Sequence, residues 1–251
     1  MKLHFIGTGA ADFDWLHYGE AGVLGSSSTL IDGKILIDCG TTVMKALRRF
    51  QVDIAEISAV VITHNHSDHF DLSVLQELAV GRRIKLYASE QICEKACNFC
   101  EVFPLYYGCD FTVDGYGFTA LPANHPVDDP DEKTFIYAVK KGEKRLLYAL
   151  DTANITARAL NLIGDRCFDA VVWDATCAND ANLWMDFYHS NPSVFRKIRK
   201  AFTVLGKLHQ HSPVIFSHRA RQFWPADAAA LAAIAEQENA LIPADGEVIE
   251  I

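Results

Sequence analysis

Thr63-His64-Asn65-His66-Ser67-Asp68-His69 follows directly on the apolar run Ala59-Val60-Val61-Ile62 and decides how the chain reads. Three imidazoles and a carboxylate fall within six residues of one turn, at the end of a strand. Such a cluster repels itself when protonated and serves no packing purpose. Imidazole and carboxylate are, however, the ligands that divalent metals prefer. His64 and His66, two apart, can point into one metal site. Asp68 and His69 can turn toward a second a few ångströms away, as two-metal hydrolysis requires.

Each metal then needs further ligands, and these should end strands, where loops gather at a sheet edge. His125 follows Phe118-Thr119-Ala120-Leu121 and its turn, Asp151 follows Leu146–Leu150, and His218 follows Val214-Ile215-Phe216-Ser217. Alone, each reads as a turn residue. Their shared placement raises them.

The whole chain fits that picture. It has 251 residues with a formal charge of −9 and ten histidines, and half its residues are hydrophobic against 22% charged. This composition excludes wholesale disorder and leaves enough chain for a substantial core. The acidic balance argues against broad attraction to nucleic acid or anionic lipid. Met1–Gly7 is too short an apolar run for a signal peptide, and no stretch approaches a membrane span. Seven cysteines, an odd and irregularly spaced number, read as reduced thiols, so the expected location is cytoplasmic.

Apolar runs of strand length recur at Leu3–Ile6, Ile35–Ile37, Ala59–Thr63, Ile84–Tyr87, Phe118–Leu121, Phe135–Val139, Leu146–Leu150, Ala170–Trp173 and Val214–Phe216. Helical patterns run from Thr41 or Thr42 to Leu47, and over Asp71–Val80, Glu90–Val102, Pro192–Leu208 and Pro225–Glu238. The Pro192–Leu208 helix sets Val194, Phe195, Ile198, Phe202 and Leu205 on one stripe and Arg196, Lys197, Arg199 and Lys200 on a face expected to be solvated. Strands 134–139 and 145–150 read as a hairpin around Lys141-Gly142-Glu143. The pattern is an α/β fold with mixed sheets and outer helices, undivided by any composition change. In the Glu90–Val102 helix Cys93, Cys97 and Cys100 would stack on one face. They read as buried reduced thiols, with a structural zinc or an iron–sulfur cluster as the competing readings.

In its ordered elements the sequence resembles the metallo-β-lactamase superfamily over essentially its whole length, so that residues 1–251 read as one domain of that fold. The elements are Gly7-Thr8-Gly9 after the first strand, Leu36-Ile37-Asp38-Cys39-Gly40, the His64–His69 motif, His125, Asp151 and His218. The resemblance implies an αββα sandwich of two mixed β-sheets with outer helices. It also implies two divalent ions, zinc or manganese with iron as a further option. His64, His66 and His125 would hold one ion and Asp68, His69 and His218 the other. Asp151 would bridge them and Asp38 would orient the motif from behind. A hydroxide between the ions would be the nucleophile, with Asp68 as a catalytic hydrogen-bond partner.

The motif also indicates a branch. Di-iron redox members carry Glu where this chain has His66, and many true β-lactamases carry Cys where it has Asp151. His189, in Phe187-Tyr188-His189-Ser190-Asn191-Pro192, looks like the catalytic His of the phosphodiesterase branch, which includes tRNA 3′-processing nucleases and the cyclic phosphodiesterase of phosphonate breakdown. Tyr188 stands where Gly is usual there. No basic arm of the kind that grips tRNA is found. A small anionic substrate, a phosphodiester or cyclic phosphate, is therefore expected, with no large nucleic acid and no membrane as partners. A carboxylic ester, thioester or lactone hydrolase is the alternative. Arg219 and Arg221, directly after His218, are candidates to bind the substrate anion. The loop Asp12–Gly25, with Asp14, Trp15, His17 and Tyr18, is expected to overhang the site. A homo-oligomer is compatible with all of this.

Overall fold

The computed structural model of the chain describes residues 1–11, 14–179, 181 and 183–251. In chain order its first elements are β1 Lys2–Gly7, β2 Ser28–Ile31, β3 Ile35–Ile37, α1 Val43–Arg49, β4 Ala59–Val61, α2 Leu72–Leu78 and β5 Lys85–Ala88. Next come α3 Glu90–Ala96, β6 Glu101–Pro104, β7 Asp110–Val113, β8 Tyr116–Pro122, β9 Phe135–Lys141 and β10 Lys144–Ala149. The last are α4 Ala157–Ile163, β11 Ala170–Asp174, α5 Pro192–Val204, β12 Val214–Ser217, α6 Ala228–Glu238 and β13 Val248–Glu250. Two mixed β-sheets flanked by helices result, in two compact units. Met1–Tyr106, Val127–Phe135 and Ala244–Glu250 form the first unit, and Tyr107–Pro126 with Ile136–Pro243 the second. Among the described residues no helix is long and apolar enough to cross a membrane.

In the first unit the sheet runs β13-β1-β2-β3-β4-β5-β6. It is antiparallel through β13, β1, β2 and β3, then parallel from β3 to β6. Parallel neighbours need crossovers, and α1, α2 and α3 supply them. Leu36, Val60, Ile62 and Leu86 of the sheet pack against Val43, Leu47, Leu75, Leu78 and Ile92 of those helices. Asp71 caps α2 by accepting the Ser73 and Val74 amides at 2.9 and 3.2 Å, and Ser89 caps α3 through the Ile92 amide.

That helix is shorter than its sequence pattern. Expected to run to Val102, α3 stops at Ala96 because Arg83 donates to the carbonyls of Cys97 (3.1 Å) and Cys100 (2.6 Å), and residues 101–104 then pair with β5. The three cysteines consequently do not share a face. Cys93 and Cys100 are buried and Cys97 is exposed, and all seven cysteines of the chain are free thiols. Burial pushes the Cys93 and Cys100 thiols up to about 11, which keeps them protonated and unreactive.

The second unit's sheet runs β12-β11-β10-β9-β8-β7. β10, β11 and β12 are parallel, while β9–β10 and β7–β8 are hairpins. Gly142 takes φ +57 in the first turn, as expected of a tight connection. In the second, Asp114 and Gly115 both have positive φ, which a two-residue hairpin demands and Asp-Gly supplies. Trp173, Phe168 and Phe216 pack with Phe195 and Phe202 of α5. Asn191 caps α5 through the Val194 amide at 3.0 Å, and Pro192 occupies its first turn. α5 ends at Val204, so Leu205 leaves the expected apolar stripe and is exposed. Its basic face is only partly solvated. Arg196 pairs with Glu238 at 2.7 Å and Arg199 donates to the Asn239 carbonyl at 3.2 Å, so both hold the C-terminus of α6.

Candidate metal centre

In the first unit the ligand turn is laced to the segment after β3. Asp38 sits in the left-handed region (φ 65), wholly buried, and its amide bonds to Val61 O. Its Oδ1 accepts the Thr63 amide at 2.7 Å and its Oδ2 accepts His69 Nδ1 at 2.7 Å. Burial raises the Asp38 carboxyl above the ordinary aspartic range, more than His69 and Thr63 pull it back. Cys39 N–H donates to His69 O and Thr41 N–H to Ser67 O. Gly40 has no choice of residue, because a Cβ there would lie 2.2 Å from Asp68 O. Asp38, Cys39, Gly40 and Thr41 thus form the bed on which the motif is moulded.

On that bed His64, Asp68 and His69 are buried and His66 is half-buried. His64 Nε2 and His66 Nδ1 lie 3.0 Å apart, and the His64 and His69 rings are 4.4 Å apart. The His69 tautomer follows from chemistry: with Nδ1 donating to a carboxylate, Nε2 presents its lone pair, and Asp68 Oδ2 lies 3.4 Å from it.

Residues 127–135 return to this unit and clamp the turn from outside. Phe135 N–H donates to Thr63 O at 2.9 Å, and the buried Glu132 carboxyl accepts Ser89 Oγ at 3.3 Å and the Asn65 amide. Burial raises the Glu132 carboxyl above the ordinary glutamic range, more than Ser89 and Lys95 restore. The unfolded chain therefore gives up this proton first, and the stability linked to Glu132 declines as pH rises from the unfolded to the folded value. Glu132→Gln mimics the protonated form. Urea unfolding should find it equal to the wild type near about pH 4 and more stable near about pH 7.5; equal midpoints at both would refute the assignment.

In the second unit three candidates follow strands of the sheet. His125 follows β8, Asp151 (φ 46) follows β10, and His218 (φ 61) follows β12. Non-glycine residues adopt positive φ at a cost, and two of these candidates do so, as Asp38 does in the first unit. His125 Nδ1 donates to Tyr188 O at 2.7 Å, leaving Nε2 3.6 Å from Asp151 Oδ2. Thr176 Oγ1 donates to Asp174 Oδ1 at 2.7 Å and so accepts from His218 Nδ1 at 2.8 Å. His218 Nε2 then faces Asp151 Oδ1 at 2.8 Å. Both rings are thus fixed with a basic Nε2 aimed at a carboxylate, the tautomer a metal ligand needs. Two electron-rich atoms so placed attract a cation between them. The donor sets of both units, imidazole nitrogen with carboxylate oxygen, fit a borderline divalent ion.

His189 lies beside this cluster, half-buried, with Nδ1 3.2 Å from Asp174 Oδ2 and 3.6 Å from Asp151 Oδ1. Burial pulls the imidazole down, and the charge and hydrogen bond of Asp174 together with the Asp151 charge more than restore it, so its pKa is raised. Asp174 is the residue that sequence reasoning missed. Wholly buried, it accepts the Thr152 amide (3.1 Å), the Thr176 amide (2.9 Å) and the Thr176 hydroxyl besides His189. Asp151, Asp174, His189 and His218 each offer an atom within 4.8 Å of the others. The signal was available: a carboxylate closing the strand Ala170–Trp173, the same placement that marked Asp151.

Two other candidates fall elsewhere. Arg219 is buried, donates to Pro243 O at 2.8 Å and lies 5.9 Å from the Trp224 ring, so its guanidinium braces the wall of the unit. Arg221 is exposed. Of the loop 12–25, Asp12 lies outside the described residues. Asp14 and His17 are exposed, Trp15–His17 form a 3-10 turn, and Tyr18 packs against the core of the first unit with Arg49 5.7 Å from its ring.

Mixed sheets with imidazoles and carboxylates at the ends of their strands define a metallohydrolase class. Over residues 34–218 the sequence matches the Beta-lactamase superfamily domain, and the chain belongs to the metallo-β-lactamase superfamily of hydrolases. It is similar to ribonuclease Z of Methanopyrus kandleri, at 26% identity over 165 residues, covering 63% of this chain and 53% of that protein. A match to the anti-Pycsar protein Apyc1 of Paenibacillus sp. (strain J14) is 34% identical over 98 residues, 38% of each chain. The chain thus spans about half or less of the length of these relatives. In fold it is similar to zinc-bound PqqB from Methylobacterium extorquens, with a TM-score of 0.74, 16% identity and complete coverage of both chains.

Proposed function

We propose that this protein is a metal-dependent hydrolase of a small phosphodiester or cyclic phosphate. The observation that carries the reading is His189, held by Asp174 with its pKa raised, beside Asp151 and His218. An imidazolium so placed donates a proton to a departing oxygen, which phosphodiester cleavage requires. Similarity to a ribonuclease supports the same bond class.

Following the family resemblance, His64, His66 and His125 are assigned to one ion, Asp68, His69 and His218 to the other, and Asp151 to both. Zinc or manganese suits this set, with iron a further candidate. Such ions, when bound, supply Lewis acidity for activating water and neutralising phosphoryl charge. The chain's own contribution is to hold the His69, His125 and His218 rings in their ligating tautomers through Asp38, Tyr188 O and Thr176, and to keep a proton on His189. The net charge of −9 favours a small anion over a long nucleic acid, and seven free cysteines support a cytoplasmic location.

The test is turnover of bis(p-nitrophenyl) phosphate by protein loaded with Mn²⁺ or Zn²⁺, beside a thioester and a lactone. Phosphodiester cleavage that a chelator abolishes is expected. A fully metallated protein that opens the lactone or thioester and leaves the phosphodiester intact would overturn the proposal.

A further inference from the structure

At the far edge of the second unit's sheet, away from Asp151 and His218, lies a cavity of about 280 Å³. Arg145 lines it near the start of β10, whereas Asp151 follows the other end of that strand, roughly 20 Å away at the rise of an extended chain. Three observations converge there. Arg145 and Lys140 are direct cross-strand partners on β10 and β9. Like charges so opposed are destabilising, yet no carboxylate pairs with either side chain among the described residues. The Asp169 carboxylate is taken by Lys144 (3.9 Å) and by the Arg145 amide, and that of Asp110, which also lines the cavity, is taken by Arg166 (3.5 Å) and Thr119.

The second observation is Gly117, within β8. Its backbone is not in the left-handed region, so its conformation does not call for glycine, and a Cβ there would meet nothing within 4 Å. A strand interior favours a β-branched residue at such a place, and a glycine marks a surface that something approaches closely. Third, Phe168 gives the cavity an apolar floor, while the Phe111 ring stacks on Phe118 on the other face of the sheet. Open space, two uncompensated cations and an aromatic floor are complementary to one kind of guest.

We propose that this cavity is a second binding site, separate from the metal ligands, for a small anion whose oxyanion meets Arg145 and Lys140 and whose planar ring lies over Gly117 against Phe168. The test uses benzoate as the probe, with acetate (charge without ring) and benzyl alcohol (ring without charge) as controls, read by thermal shift and calorimetric titration. Benzoate should bind saturably and more tightly than either control. The double variant Lys140→Ala/Arg145→Ala should weaken it about tenfold or more, the loss of charge-assisted hydrogen bonds. Gly117→Val fills the space without touching the cations or straining the strand, and should abolish binding while leaving metal content and the melting temperature near wild type. No saturable binding of benzoate, or binding unchanged in both variants, would overturn the proposal; the latter would place the anion at the metal ligands.

Discussion

Asp38→Ala should destabilise the protein by about 3–5 kcal/mol, since each buried donor left without its acceptor costs about 1–3 kcal/mol. Three donors lose their acceptor at once: the Thr63 amide, the Thr63 hydroxyl and His69 Nδ1. All are buried, so water cannot replace the lost carboxylate. Asp38→Asn separates fold from chemistry. Its carbonyl oxygen can keep the Thr63 bonds, but its amide presents N–H to His69 Nδ1, which must then accept. The ring proton moves to Nε2, the atom a metal would need. Urea unfolding should therefore find Asp38→Asn much closer to wild type than Asp38→Ala, while metal titration finds its affinity reduced about 10–100-fold. Wild-type metal affinity in Asp38→Asn would show that Asp38 does not set the tautomer.

His189→Ala should lower kcat for a phosphodiester by about 10²–10⁴-fold, the usual worth of a positioned general acid. Its ring is not in the assigned ligand set, so metal content should be unchanged, and KM should move far less than kcat. Asp174→Asn is the finer experiment. Burial pulls His189 down and the Asp174 charge holds it up, so neutralising Asp174 lowers the pKa of the acid. The alkaline fall of kcat should then begin at a lower pH than in wild type. An Asp174→Asn enzyme with an unshifted profile would restrict Asp174 to scaffolding, and full activity in His189→Ala would remove His189 from the reaction.

Much of the fold was legible because its buried strands are apolar runs. β1, β3, β4, β5 and β8 to β12 were all visible in that way. The strands that escaped are those whose burial does not depend on apolar side chains. In β2, Ser28 and Thr29 are buried, and the Ser28 hydroxyl donates to Asp38 O at 2.8 Å, so a polar pair passes as core. β6 and β13 are short edges bearing Glu and Pro or Glu, residues that protect an edge and disguise a strand. β7 carried its own announcement in Asp114-Gly115. The end of α3 could not be read locally, since Arg83, fourteen residues before Cys97, stops it by capping carbonyls.

At the site, the His64–His69 turn was legible because its composition has no packing explanation, and the other candidates because strand ends collect ligands. Asp174 also closes a strand, yet it escaped. A lone carboxylate after Trp173 carries no motif, and its importance lies in four hydrogen-bonding groups, at Thr152, Thr176 and His189, that only the fold assembles.

The order in which the first unit closes bears on how the protein is made. Lys2 pairs with Glu250 across the β1–β13 ladder, and the Asp245 carboxylate accepts the Thr8 amide, the Thr8 hydroxyl and the Gly25 amide. The Gly7–Gly9 loop and the outer edge of β1 therefore wait for residues that leave the ribosome nearly a whole chain later. During synthesis that edge and the segment around Gly25 remain exposed while the second unit, encoded between, can already condense. Pairings so distant in sequence fold slowly, and the nascent protein passes through a stage with its ligand turn translated and its founding strand still uncovered, the stage at which chaperones would have most to protect.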